Sequence, residues 1–112
     1  MNTALITGAA QGVGLETAAL LAGRGVRVNA VCPGWIKTDM DVADQARGAY
    51  TDADIVDRVP MARFARVQDV AEAIAFLADD ERSGFINGIS LPVDGGWIAD
   101  ASWNSLRTRA RD

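Results

Sequence analysis

The sequence predicts an α/β fold, a small three-stranded parallel sheet flanked by helices, on three observations. Residues 3–7 form a short apolar run that ends in a glycine-rich loop. Residues 14–23 then place apolar side chains at helical spacing, and residues 26–32 return to a Val-rich strand pattern. Strand, glycine loop, helix and strand in that order make a βαβ unit, right-handed by the general rule.

Each element has a local reason. Ala4, Leu5 and Ile6 carry the first strand. Leu15, Ala18, Ala19 and Ala22 form the helical pattern, and Gly23 and Gly25 stop it. Pro33-Gly34 ends the second strand, because proline cannot donate to a ladder. Residues 39–60 are polar and rich in aspartate (Asp39, Asp41, Asp44, Asp52, Asp54, Asp57), which predicts one or two short helices. Residues 67–79 predict a clearer helix, with Val70, Ile74 and Leu77 on one face and Ala71, Ala73 and Ala78 permitting close packing. Asp79-Asp80-Glu81 follows at the helix end, where a solvated turn accounts for it better than acid/base chemistry. Residues 89–93 are the third strand. Residues 1–97 read as one domain and 98–112 as a tail, whose Arg107, Arg109 and Arg111 read as a solvated terminus.

Composition narrows the chemistry. With 112 residues, 49% apolar and 23% charged, the chain suits one domain with a modest core. A net charge of −4 argues against a nucleic-acid partner. No apolar run reaches the roughly 20 residues of a membrane helix, and no positive charge precedes Arg24, against a secretory signal. Cys32 is the only cysteine, so no intrachain disulfide forms, and the expected location is the cytoplasm. With no histidine there is no Ser–His or Cys–His pair, and a zinc site has no ligand set. Cys32, ahead of Pro33, reads as a small apolar strand residue, since no base is identifiable for it.

The glycine loop carries the functional signal. It reads Thr7-Gly8-Ala9-Ala10-Gln11-Gly12-Val13-Gly14 and lies between a predicted strand and a predicted helix. A helix N-terminus offers unpaired N–H groups and partial positive charge to a phosphate, and glycines let the backbone come close. A tight strand–helix turn is the plainer reading of a glycine triplet; the flanking elements and Thr7 favour the phosphate loop.

The Gly-x-x-x-Gly-x-Gly spacing, together with Pro33-Gly34-Trp35-Ile36-Lys37-Thr38, Arg63-Phe64, Gly84-Phe85-Ile86-Asn87-Gly88 and Val93-Asp94-Gly95-Gly96, resembles the short-chain dehydrogenase/reductases over nearly all residues to about 97. The resemblance implies a minimal Rossmann-like domain and NAD or NADP as cofactor. It assigns Thr7, Gly8, Gln11, Gly12, Val13 and Gly14 to the phosphate side. It assigns Pro33, Gly34, Ile36 and Thr38 to the nicotinamide side, where the Ile backbone and Thr hydroxyl hold the carboxamide.

The central part of that family is not found in the sequence. Its catalysis needs a Tyr four residues before a Lys, plus a Ser. Here the single tyrosine, Tyr50, has Asp54 four residues on, and Lys37 is the only lysine. Self-association cannot supply the pair, because every copy lacks it. Also missing are the segment beneath the adenine and the residue after the second strand that selects NAD or NADP. The junction falls near Gly25-Val26-Arg27-Val28, which suits an in-frame loss between two similar words.

Geometry sharpens this. Three strand steps, roughly 14 Å at about 4.8 Å each, separate the two joined strands in the complete family. Arg24-Gly25 is too short a link for that, so the strands are expected to be neighbours, and an extended NAD would not make both family contacts. Exposed sheet edges and Trp35, Trp97 and Trp103 predict a homo-oligomer, with capping of the small core as the plainer role for the Trp residues. Three functions follow: a nucleotide- or phosphate-binding remnant without the family's catalysis, a self-assembling interaction protein, and a residual NAD(P)-dependent carbonyl or alcohol oxidoreductase.

Overall fold

The computed structural model describes residues 3–7, 9 and 11–99. The elements run β1 (Thr3–Ala4), α1 (Gly12–Gly23), β2 (Arg27–Val28), β3 (Ala30–Pro33), α2 (Asp39–Ala46), α3 (Asp52–Val56), α4 (Val67–Ala78), α5 (Asp80–Ser83) and β4 (Ser90–Val93). The chain forms two compact units. One holds Met1–Cys32 and Gln68–Leu91, the other Pro33–Val67 and the chain from Pro92 onward.

In the first unit β1 pairs with β2 in parallel, Thr3 opposite Arg27 and Ala4 opposite Val28. The short link is what enforces this adjacency. Gly25 takes φ +79°, its N–H reaches Ala22 O at 3.2 Å, and Val26 N–H reaches Leu21 O at 3.1 Å. This is a Schellman ending of α1, so the chain turns straight back beside β1. The expected neighbour relation therefore holds.

The expected three-stranded sheet is built as two two-stranded sheets, β1–β2 and β3–β4. The division falls at Asn29 and has a side-chain cause. Asn29 Nδ2 donates to Ile86 O, and Asn29 Oδ1 accepts from Ile89 N–H, both at 3.1 Å. Asn87 Oδ1 accepts from Val28 N–H at 3.0 Å. Two side-chain amides thus join the backbone bond from Gly88 N–H to Val28 O (2.8 Å) at this step. The backbone bonds continue as Ala30 N–H to Ile89 O (2.8 Å) and, in the second unit, Gly34 N–H to Val93 O (2.9 Å). Residue numbers rise together along both segments, so this pairing is parallel too.

The buried centre of the first unit is polar. Arg27 is 1% exposed. Its Nη1 donates to Ser83 O (3.0 Å) and Ile86 O (3.1 Å), and its Nη2 to Thr3 Oγ1 (2.8 Å), Leu77 O (3.0 Å) and Asp80 Oδ1 (2.7 Å). Its Nε also reaches Asp80 Oδ1, at 3.1 Å. One guanidinium fork thereby ties β1 to the carbonyl end of α4 and to α5, which opens at N-cap Asp79. The Asp79-Asp80-Glu81 run is thus a cap plus an ion-pair partner, not only a solvated turn. On α4, Leu77 is buried while Val70 and Ile74 are half-buried, as the spacing predicts. Helix α1 differs: none of its residues is buried, and Val13, Leu15 and Leu20 are exposed.

In the second unit two matching signals start α2 and α3. Thr38-x-x-Asp41 and Thr51-x-x-Asp54 both form capping boxes, each Thr oxygen accepting the N3 N–H while the Asp carboxylate returns to the cap N–H. Ile55 and Val59 are its buried apolar residues. Trp35 lies edge-on to Trp97 and to Tyr50, with ring centroids 6.0 and 6.4 Å away. Trp103 and the Arg-rich tail lie outside the described residues. Among the described residues no helix is long and apolar enough to cross a membrane.

Candidate functional site

The phosphate-loop residues sit at the start of α1. Gln11 is its N-cap, in extended conformation (φ −160°, ψ 169°), and no side chain caps the helix. Gly12 takes φ +62°, and nothing lies within 4 Å of where its Cβ would be. No acidic residue occupies the first turn. Thr7, Gln11, Gly12 and Val13 are exposed and Gly14 half-buried, while Gly8 lies outside the described residues. Among the described residues nothing crowds Gly12 and no carboxylate lies in the first turn, which leaves the first-turn N–H groups as donors. That donor set fits a phosphate.

The Pro33–Thr38 residues belong to the second unit. Pro33 ends β3. Gly34 has a packing reason to be glycine: a Cβ there would stand 2.6 Å from Asp94 Cα and 2.8 Å from Asp94 Cβ. The Asp94 carboxylate in turn accepts from Gly96 N–H and Ile98 N–H, each at 3.0 Å. Gly95 and Gly96, at φ +63° and +94°, face Val59 and Pro60. The Pro-Gly and Asp-Gly-Gly motifs thus fit each other.

Ile36 bridges Ala65 in parallel fashion, and the bond recorded for that bridge runs from Ala65 N–H to Trp35 O at 2.8 Å. In this pattern the flanking residues supply the bonds, so Ile36's own N–H and C=O point to the other side of the strand.

Thr38 is exposed. Its N–H and Oγ1–H both donate to Asp41 Oδ2, at 2.7 and 2.8 Å, and its Oγ1 accepts from Asp41 N–H at 3.4 Å. Asp41 is 8% exposed, and its other oxygen accepts from the Tyr50 hydroxyl in a short hydrogen bond. Asp41 is held below the usual carboxylate range, first by the Tyr50 hydroxyl and then by Thr38. Tyr50 is pushed up to about 12, chiefly because its hydroxyl donates to Asp41, with burial and then the negative charges of Asp41, Asp44 and Asp52 adding to this.

A tyrosine that serves as a proton-transfer group at neutral pH needs the opposite shift. The only lysine is engaged elsewhere: Lys37 Nζ pairs with Asp52 Oδ2 at 2.9 Å, while Gln45 donates to Asp52 Oδ1 at 2.6 Å. Lys37 first, then Gln45, lowers the Asp52 pKa. Asp54, four residues after Tyr50, is the α3 capping carboxylate. The Asp41–Tyr50 contact was not anticipated from the sequence, although the Thr-x-x-Asp spacing at Thr38–Asp41 is its visible half. Among the described residues no group of three His, Cys, Asp or Glu side chains is placed to hold a metal ion.

A family model described as enoyl-(acyl carrier protein) reductase matches residues 6–98. The 2-(S)-hydroxypropyl-CoM dehydrogenase 3 of Xanthobacter autotrophicus is 41% identical over 88 residues, covering 75% of this chain and 34% of that protein. A Haemophilus influenza protein described as a D-mannonate oxidoreductase candidate, solved with bound NAD, superposes at TM-score 0.63 with 34% identity. That match covers 77% of this chain and 32% of the other. The structure of ElxO with NADP bound gives TM-score 0.60 and 35% identity, over 76% of this chain and 34% of that one. The chain spans about a third of the length of each of these relatives. By the family model, the identities and the shared fold, this chain belongs to the short-chain dehydrogenase/reductase family.

Proposed function

We propose that this chain is a nucleotide-binding remnant of its family that lacks the family's proton-transfer catalysis. The observation that carries the reading is the start of α1, with Gln11 extended, no side-chain cap and open space at Gly12. A phosphate group of a nucleotide would bind there through backbone N–H groups. NAD or NADP is the cofactor class, as in the neighbours solved with them, held through its phosphate side at the start of α1. The cofactor would supply hydride chemistry, whereas this chain's own residues bind and orient. Tyr50, held neutral by Asp41, supports the lack of catalysis. The exposed free thiol of Cys32 suits a reducing compartment such as the cytoplasm.

Calorimetric titration with AMP, NADH and NADPH tests the reading, on protein shown to be folded. Saturable binding is the expected result; no heat from any of the three at millimolar concentration refutes it. Cofactor-dependent carbonyl reduction that is lost in Gly12→Val would instead establish residual oxidoreductase activity.

A second reading, self-assembly, is favoured by α1. A helix with Val13, Leu15 and Leu20 exposed and no buried residue needs cover. A homo-oligomer would supply it, and sedimentation showing only a compact monomer would rule it out.

A further inference from the structure

We infer that Asn87-Gly88 is a deamidation site whose reactivity the fold withholds. Hydrogen bonds to Val28 and a clamp from Asn29 keep the pair inert while this loop stays bonded to β2, and unfolding releases it. The site is separate from the start of α1 and does not depend on nucleotide binding.

Asparagine followed by glycine is open to this chemistry because no Cβ obstructs the amide nitrogen of the second residue. This is the only Asn-Gly pair in the sequence. Both residues are exposed, and nothing lies within 4 Å of where a Gly88 Cβ would be. Burial therefore does not protect the pair. In the reaction the Gly88 amide nitrogen gives up its proton and bonds to Asn87 Cγ. The Cγ–Nδ2 bond breaks, and Nδ2 takes up a proton through water and leaves as ammonia. A water molecule then opens the succinimide. Opening at Cγ gives aspartate; opening at the Asn87 main-chain carbonyl gives isoaspartate, with the backbone routed through the side chain.

The structure engages both reacting groups on a single residue. Gly88 N–H, the nucleophile, donates to Val28 O at 2.8 Å. Asn87 Oδ1, on the carbon to be attacked, accepts from Val28 N–H at 3.0 Å. The succinimide nitrogen carries no hydrogen, so the first of these bonds cannot survive the reaction. Asn29 holds the chain on either side of the pair. Its Nδ2 donates to Ile86 O and its Oδ1 accepts from Ile89 N–H, both at 3.1 Å. Arg27 Nη1 adds a second donor to Ile86 O, at 3.1 Å. Isoaspartate inserts a methylene into the main chain between these anchors and shifts Gly88 out of register with Val28. A chain modified while unfolded then cannot regain this pairing, which makes prolonged unfolding irreversible.

The test follows the mass rise at Asn87 by peptide mapping at mildly alkaline pH, in native buffer and in guanidinium chloride. The unfolded chain should deamidate at least roughly tenfold faster than the folded one, the ratio expected from two hydrogen bonds that must open first. Asn29→Ala, shown to be folded by circular dichroism, should be modified at least about threefold faster than folded wild type. Equal rates in the folded and unfolded chain, an Asn87 that stays intact in both, or a folded Asn29→Ala no faster than wild type overturns the inference. If Asn29→Ala does not fold, hydrogen exchange of the Gly88 amide in the wild type decides: protection is expected, and exchange at the unfolded-chain rate overturns the lock.

Discussion

Replacing Arg27 with methionine should unfold the first unit more readily than any surface change. The side chain is 1% exposed and bonds three backbone carbonyls, of Leu77, Ser83 and Ile86, as well as Thr3 and Asp80. Methionine keeps the stem but leaves those acceptors without their donor. A buried polar group stripped of its partner costs about 1–3 kcal/mol, while Asp80, 40% exposed, can turn to water when the ion pair is lost and adds little. Three stranded carbonyls outweigh what methionine's own burial offsets, leaving a loss of about 3 kcal/mol for Arg27→Met. A chain of this length has a total stability of roughly 6–17 kcal/mol, so the loss is large. Urea unfolding followed by far-UV circular dichroism would read it as a lower midpoint at unchanged slope, with a fall in Tm of more than about 10 °C. Arg27→Lys keeps the charge and loses the fork, and should lie between the two. If Arg27→Met instead stays within about 0.5 kcal/mol of wild type, the ordinary range for a surface change, the central role of this guanidinium is refuted.

Three further outcomes are expected. Asp80 is held below the usual carboxylate range by Arg27, so its contribution to stability is present above the unfolded pKa of about 3.9 and is lost as pH falls below it. Acid unfolding should therefore lose its Asp80-dependent slope in Arg27→Met. Tyr50 is the only tyrosine, so its absorbance titration is unambiguous. The midpoint should be about 12, returning toward about 10 in Asp41→Asn. Since the folded value is raised, this stabilisation is present below about pH 10 and lost as pH rises toward about 12; a wild-type midpoint at the ordinary tyrosine value would contradict the Asp41 contact. Gly34→Ala puts a Cβ against the Asp94 backbone and should cost about 1–3 kcal/mol in chemical denaturation, whether or not a nucleotide binds.

The parts of the fold that were legible were those with a local chemical cause. Gly25 at a helix end predicts the turn that brings β2 beside β1, and the spacing of Val70, Ile74 and Leu77 predicts the face of α4. What escaped depended on partners far away along the chain. Nothing local to Asn29 says that its amide will bond Ile86 and Ile89 and divide a strand. Nothing local to Arg27 says that a charge inside a Val-rich strand will reach Asp80. At the candidate site, the glycine loop was visible because three glycines sit between a strand and a helix. Gly34 was read for its cofactor contact, while the structure adds a packing reason in Asp94. Thr38 was read the same way, and the structure adds its role as the α2 cap, carried by the Thr-x-x-Asp spacing.

The absence of the family's Tyr-x-x-x-Lys pair from this sequence gains a physical counterpart. Tyr50 is bonded to a carboxylate and surrounded by aspartates, which hold its proton, and Lys37 is spent on Asp52. The same Asp41 that makes Tyr50 a poor proton-transfer group also orders Thr38.

Nucleotide binding at the start of α1 is the central claim, and one measurement addresses it most directly: backbone amide shifts on titration with AMP. The account predicts saturable shifts of the Gln11, Gly12, Val13 and Gly14 amides, weakened by added salt as a phosphate contact requires. Unmoved amides at those four positions at millimolar AMP, in a protein whose other resonances report a folded chain, would contradict it.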